Sequence, residues 1–271
     1  MRIGCVKYLN ARPLISGWPG EVEFDHPSAL CQRLANGELD VALVSSFEFL
    51  RNPIYQIVDD ISISSDGPVY SVVVAHCGEF SDIEEIVLDP ASQTSVNLVR
   101  CVLAELGLKT RFVSGVLGST GCQPVVSGSL PDTGIARLLI GDQAIHFRQK
   151  HAGEFQFLDL GEQWKKLTGL PFVYALWLIR PEVTDAKSIG QCLRRLRDKN
   201  LANLDDLIAE AVAGIGDPGS SQMTGEFLGR YFRKHLQFSF GKKEKQGLQR
   251  FAGLCAKHGL VRAGDCSLTV V

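Results

Sequence analysis

The sequence predicts an α/β fold of two lobes, sheets flanked by helices, with a ligand cleft between them. Three observations predict it. Strand-length apolar runs alternate with helix-period segments over the first two thirds of the chain, the pattern of parallel sheets flanked by helices. Two of the runs, near residues 69–75 and 172–179, bracket the middle third, as when one lobe is inserted into another and tethered by two crossing segments. Beyond Pro181 the pattern is almost wholly helical. On this reading residues 1–73 and 176–271 make one lobe, and 74–175 make the inserted one. Open α/β sheets hold ligands beyond the C-terminal ends of their strands, which places the site between the lobes.

Residues 2–8 read as the first strand. Asn10 follows as a candidate N-cap, with Pro13 tolerated in the first helical turn. Residues 28–36 carry Leu30 and Leu34 at helical spacing and stop at Gly37. The short strand 41–44 leads to Ser45 and Ser46, which cap a helix holding Phe47 and Phe49. Gly67-Pro68 is a turn that launches 69–75. Residues 85–88 are strand-like. Ser92-Gln93-Thr94-Ser95 is a polar cap before Val99, Val102, Leu103 and Leu106, which share one helix face. Residues 135–140 read as a central parallel strand, with Asp142 just past its end. Residues 157–160 and 172–179 are strands. Four helical segments follow, and the one with Phe227, Tyr231 and Phe232 reads as core packing. Residues 113–133, rich in Gly, Ser and Pro, fit no regular pattern and could cover the cleft.

Net charge is −2 and 21% of residues are charged, so neither nucleic acid nor an anionic membrane is an expected partner. The N-terminus lacks the apolar core and small-residue cleavage site of a signal peptide, which points to the cytosol. Eight cysteines form no C-x-x-C pair. Cys101, Cys192 and Cys255 fall on apolar helix faces and read as small buried hydrophobes. Six scattered histidines show no metal-ligand spacing. No P-loop, G-x-G-x-x-G or G-x-S-x-G is present.

The polar groups that follow strands remain: Asn10, Ser45 and Ser46, Ser92 with Thr94 and Ser95, and Asp142. Ser71 lies in or beside a crossing strand. Hydroxyls at helix N-termini suit an anion, because the terminal N–H groups lack partners and the dipole is positive there. Each also has a plainer reading: Asn10 and Ser92 as N-caps, Ser71 as a buried hydroxyl bonded to backbone, Asp142 as a cap for its own helix. Spacing alone stops at a two-lobed binder of a small anion.

The motifs go further. Tyr8-Leu9-Asn10-Ala11-Arg12-Pro13-Leu14, Ser65-Asp66-Gly67-Pro68-Val69-Tyr70-Ser71, Ser92-Gln93-Thr94-Ser95-Val96, Leu139-Ile140-Gly141-Asp142 and Thr168-Gly169-Leu170-Pro171-Phe172-Val173 occur in that order. Together they resemble the chorismate dehydratase family (MqnA) of the futalosine route to menaquinone, from the first strand to about Trp177. The resemblance implies the type II periplasmic-binding-protein fold, with mixed sheets. It implies a hydro-lyase that converts chorismate to 3-[(1-carboxyvinyl)oxy]benzoate and water. No metal or organic cofactor is required, because loss of the C4 hydroxyl aromatises the ring. Asn10 and Ser71 are implied as the catalytic pair, on the ring carboxylate. Ser46, Ser92, Thr94 and Ser95 are implied to hold carboxylates, with Asp142 lining the cleft and Arg12 a weaker source of charge. The base stays open between Asp142, Glu48 and the substrate's own enolpyruvyl carboxylate, the last being favoured. The rival readings are a non-catalytic binder of a small carboxylate, the sister enzyme that makes a dihydroxynaphthoate, and a ligand-sensing domain.

Overall fold

The computed structural model describes residues 1–115, 134–214, 223–262 and 267–271. Most of the 113–133 segment therefore lies outside the described residues. The strands are β1 (Ile3–Val6), β2 (Val22–Asp25), β3 (Val41–Ser45), β4 (Gln56–Ser65), β5 (Val72–His76), β6 (Glu85–Leu88), β7 (Arg111–Ser114), β8 (Ile135–Ile140), β9 (Gln156–Asp159) and β10 (Phe172–Ile179). The helices are α1 (Arg12–Ile15), α2 (Pro27–Ala35), α3 (Ser46–Arg51), α4 (Gln93–Glu105), α5 (Gly141–Lys150), α6 (Leu160–Thr168), α7 (Ala186–Ala202), α8 (Leu204–Gly214), α9 (Gly225–Arg230) and α10 (Lys242–Lys257).

Two five-stranded sheets result, ordered β2-β1-β3-β10-β4 and β7-β6-β8-β5-β9. Both are mixed. In the first, β1 pairs in parallel with β2 and β3, while β10 runs antiparallel between β3 and β4. In the second, β6 pairs in parallel with β7 and β8, while β5 runs antiparallel between β8 and β9. The chain leaves the first sheet after β4 and returns through α6. Each crossing delivers the antiparallel strand of the sheet it enters.

Burial explains the strands. All eight residues of β10 are buried, so a continuous apolar run with Trp177 fully enclosed fits a strand covered on both faces. Along β5, Val72 and Val74 join the main core. Val73 and Ala75 face a smaller cluster with Leu139 and Ala144 beneath α5. The main core runs through both sheets without a break.

Several expectations change. Asn10 is not a helix cap: it lies inside a 3₁₀ turn, Leu9–Ala11, that precedes α1. Strand β8 is central, but it is parallel to β6 and antiparallel to β5. The run expected at 69–75 begins as a strand only at Val72, because residues 66–71 form the crossing turn. Strand β4, ten residues long, has no counterpart in the sequence reading. Its alternating serines and a bulge at Asp59-Asp60, where Asp60 takes φ +62°, disguise it. Cys192 is exposed, whereas Cys101 and Cys255 are buried.

At the crossing, Gly161 passes so close to the 65–67 turn that a Cβ there would lie 2.5 Å from the Gly67 carbonyl oxygen and 2.7 Å from the Ser65 and Tyr174 hydroxyls. Gly161→Ala is therefore expected to lower the unfolding free energy by about 2 kcal/mol, the usual cost of overpacking. Urea denaturation of the full chain measures it.

Candidate functional site

Strand β1 ends at Val6, and the 3₁₀ turn that follows carries Asn10. Asp142 fixes this turn. Its carboxylate accepts the Leu9 N–H, at 3.1 Å and 3.3 Å from the two oxygens. Asp142 stands in the first turn of α5, behind Gly141. Gly141 has φ +57°, and a Cβ there would lie 3.0 Å from the Tyr8 ring. Only glycine meets both demands. The Gly141 N–H donates to the Ser71 carbonyl at 2.8 Å, which ties the crossing turn to the same corner. Desolvation pushes the Asp142 carboxyl up to about 6, partly offset by the Leu9 N–H and by the charge of Arg12.

Ser71 is fully buried. Its hydroxyl oxygen accepts a hydrogen bond from the Tyr231 hydroxyl at 2.7 Å. The Asn10 side chain also bears on the Tyr231 phenol, lowering its pKa. Asn10 and Ser71 therefore both act on one tyrosine hydroxyl. Asn10 Oδ1 is enclosed and has no hydrogen-bond partner. Burial raises the Tyr231 phenol well above its ordinary range, and the Asp142 charge raises it further. The phenol stays protonated, and since its proton goes to Ser71, the Ser71 proton is left for another acceptor. Tyr231 opens a π-helical turn, Tyr231–His235, a local geometry that is frequent at functional sites.

The remaining predicted residues form a second group. Strand β3 delivers Ser45 and Ser46 to the start of α3, and Ser92 starts α4. Ser45 does not cap its own helix. Its hydroxyl accepts the Thr94 N–H at 3.0 Å and contacts the Thr94 hydroxyl. Thr94 Oγ1 accepts the Phe47 N–H at 3.0 Å. One N–H at each helix start is thus met by a hydroxyl from the other segment, Ser45 at the end of β3 and Thr94 in α4. Ser46 donates to the Val173 carbonyl on β10 at 2.7 Å and lies 3.3 Å from Thr94 Oγ1. Ser92 makes a local cap, accepting the Ser95 N–H at 3.2 Å and donating to the Ser95 hydroxyl at 2.9 Å. All of these hydroxyls are buried.

Glu48, on α3 two residues after Ser46, has its partners outside both groups. It is fully buried and ion-paired with Arg51, and Tyr55 and Cys31 also bear on it. Tyr231 is not conspicuous in the sequence as a partner of Ser71, because helical spacing marks it only as core. Nor is Ser45 conspicuous as a partner of Thr94, since no local signal reports a bond between residues 49 positions apart.

Residues 1–257 match a family model described as menaquinone biosynthesis. A protein of Thermus thermophilus named chorismate dehydratase is 31% identical over 270 residues, with 92% of this chain and 93% of that one covered. A solved structure from Archaeoglobus fulgidus superposes with a TM-score of 0.71 at 17% identity, covering 96% of this chain and 98% of that one. The periplasmic aliphatic sulphonate binding protein SsuA from Escherichia coli superposes at 0.64 and 14% identity, covering 97% and 88%. The fold is thus that of the periplasmic binding proteins.

Thr94→Val keeps the side chain's shape but strands the Phe47 N–H in a dry interior. It is expected to cost about 2 kcal/mol of stability, the penalty for an unsatisfied buried donor. Urea denaturation checks it.

Proposed function

The chain belongs to the menaquinone biosynthesis family, and on that premise we propose that it dehydrates chorismate to 3-[(1-carboxyvinyl)oxy]benzoate and water. The observation that carries this reading is the buried Tyr231 hydroxyl, which donates to Ser71 and is acted on by the Asn10 side chain at the same corner. The name and near-complete overlap of the Thermus thermophilus relative support it.

The reaction removes a proton from C3 and hydroxide from C4 of the ring. The electron pair from the C3–H bond passes through the ring, whose carboxylate carries part of the developing charge. The hydroxide leaves with a proton as water, and the ring becomes aromatic. Hydrogen bonds that shorten as charge flows into the carboxylate lower the barrier. Ser71 donates one, its oxygen already polarised by Tyr231. Asn10 supplies the other from its amide nitrogen, which carries two N–H groups. Ser46 and the Ser92, Thr94, Ser95 cap bind carboxylate from their two helix starts. The cytoplasm is the corresponding address.

The substrate's enolpyruvyl carboxylate serves as the base. Both protein candidates are otherwise engaged: Asp142 holds the Leu9 N–H, and Glu48 is ion-paired with Arg51.

Incubation with chorismate, followed by ultraviolet absorbance and mass spectrometry, tests the reaction. An aromatic product lighter by one water is expected. Tight binding without turnover returns the chain to the non-catalytic carboxylate binders. Ser71→Ala is expected to reduce kcat by about 100-fold or more, the scale of one lost charge-stabilising donor.

A pH profile separates anchor from base. Ionised Asp142 accepts the Leu9 N–H, so kcat/KM should fall as pH drops through about 6. Asp142→Asn should remove that acid limb while costing no more than about tenfold at pH 8, as for a lost positioning contact. A loss of several orders of magnitude there would make Asp142 the base. Stability has the opposite sign. The raised carboxyl means that the folded state holds the proton more tightly than the unfolded chain. Ionised Asp142 therefore destabilises the fold, by nothing below about 3.8 and fully above about 6. Asp142→Asn should accordingly be more stable relative to the parent at pH 8 than at pH 4.

A further inference from the structure

We propose that Asp159 is the positioning residue for Ser71: it forces Tyr70 into a left-handed backbone conformation, and that conformation aims the Ser71 hydroxyl at Tyr231. The inference rests on the dehydratase reading only for its effect on turnover. The geometry stands apart from it.

Asp159 ends β9 and is 3% exposed. Its carboxylate accepts four backbone N–H groups. Two belong to the start of α6, Gly161 at 3.0 Å and Glu162 at 3.2 Å. The other two belong to the opposite crossing segment, Val69 at 3.0 Å and Tyr70 at 2.8 Å. One side chain thus clamps both connections between the sheets. An ordinary helix cap needs only the first pair.

The second pair has a cost. Tyr70 has φ +69°, a region that a bulky L-residue rarely adopts. Only Asp60 shares this sign among the described non-glycine residues. The strain falls on the residue directly before Ser71. Relaxing φ at Tyr70 would swing the following peptide and carry Ser71 away from Tyr231.

The surroundings hold the same pose. The Arg148 guanidinium lies 4.2 Å from the Tyr70 ring centroid and 3.6 Å from the Asp159 carboxylate. Phe227 and His235 pack on the ring, with centroids at 5.1 Å and 5.5 Å. His235 Nδ1 is 2.9 Å from the Pro68 carbonyl. Gly161 lacks a Cβ where the Gly67 carbonyl comes nearest, so the two segments can approach closely enough for Asp159 to reach across.

The test compares Asp159→Asn in two backgrounds, the parent chain and Tyr70→Gly. Glycine adopts a positive φ without strain, so it no longer needs the clamp. In the parent background Asp159→Asn should lower kcat by about 10- to 100-fold, the span of one relieved backbone strain, with KM changed less than about threefold. In the Tyr70→Gly background the same substitution should lower kcat by less than about threefold. A plain helix-cap role for Asp159 gives equal losses in both backgrounds and overturns the proposal, as does the absence of any loss in the parent.

Should Asp159→Asn fail to fold, Arg148→Met replaces it in the same comparison, with a smaller loss that Tyr70→Gly again suppresses. Equal losses with Arg148→Met overturn the proposal in the same way. Crystal structures of the variants provide a readout that needs no turnover. Loss of the clamp should return Tyr70 to negative φ and break the 2.7 Å bond between Tyr231 and Ser71. A retained positive φ with that bond intact overturns the inference. A parent chain that does not convert chorismate overturns the functional reading alone and leaves the crystallographic outcome to decide this one.

Discussion

The corner that holds Asn10 and Ser71 depends on a single buried phenol. Tyr231 comes from the helical last third of the chain. Its hydroxyl ends between a residue that follows the first strand and a residue in the crossing between the sheets. Burial and the nearby Asp142 carboxylate both oppose its ionisation, so it keeps its proton at any physiological pH. A neutral phenol in a dry corner must donate once, and here the acceptor is Ser71. The direction of the hydrogen-bond chain is thereby fixed, from phenol to serine to whatever ligand lies beyond. The other fixtures of the corner serve that arrangement. Asp142 holds the turn that carries Asn10, Gly141 bonds the Ser71 backbone, and the crossing turn is fastened at Val69 and Tyr70.

The second polar group shows how two sheets are made to depend on each other. The first N–H groups of a helix have no partner within it. At α3 and α4 these donors face one another and are met by exchanged hydroxyls, Ser45 for Thr94 N–H and Thr94 for Phe47 N–H. The exchange ties α3, which follows the first sheet's β3, to α4, which follows the second sheet's β6, so the spacing of the two sheets is fixed by hydrogen bonds between buried groups.

Much of the frame was legible because hydrophobic period is a local property. The buried runs of β3, β5, β8 and β10, and the amphipathic faces of α4, α7 and α10, carry their assignment in their own residues. Strand β4 escaped because its ladder side is rich in serine, and because Arg197 supports its bulge through a remote ion pair with Asp60. The candidate site residues stand out in part because their signal is local too. Asn10, Ser71 and Asp142 sit in motifs at the ends of elements, where a polar residue is conspicuous. Tyr231 sits on an apolar helical face and gives no sign of its hydroxyl's destination. Asp159 looks like any helix cap until the opposite segment is folded onto it. Both depend on contacts between distant segments, 160 positions apart for Tyr231 with Ser71 and 90 for Asp159 with Val69. Sequence spacing does not encode such contacts.

The character of the donors bears on catalysis. A dianionic substrate could be held more tightly by arginine or lysine placed against its ring carboxylate. That strength would act on the carboxylate already present in the ground state and would add nothing to the rate once the substrate is bound. Neutral donors behave differently. A serine hydroxyl polarised by a phenol, and an amide with one enclosed end, bind a resting carboxylate modestly and gain as charge accumulates on it. In a corner where water is excluded and the donors are held before the reaction begins, that gain requires no reorganisation. Positioning then becomes the decisive property, because a hydroxyl turned away from the carboxylate contributes neither binding nor stabilisation. The structure fastens one serine through its backbone on both sides, through Gly141, which bonds its carbonyl, and through the strained Tyr70 before it.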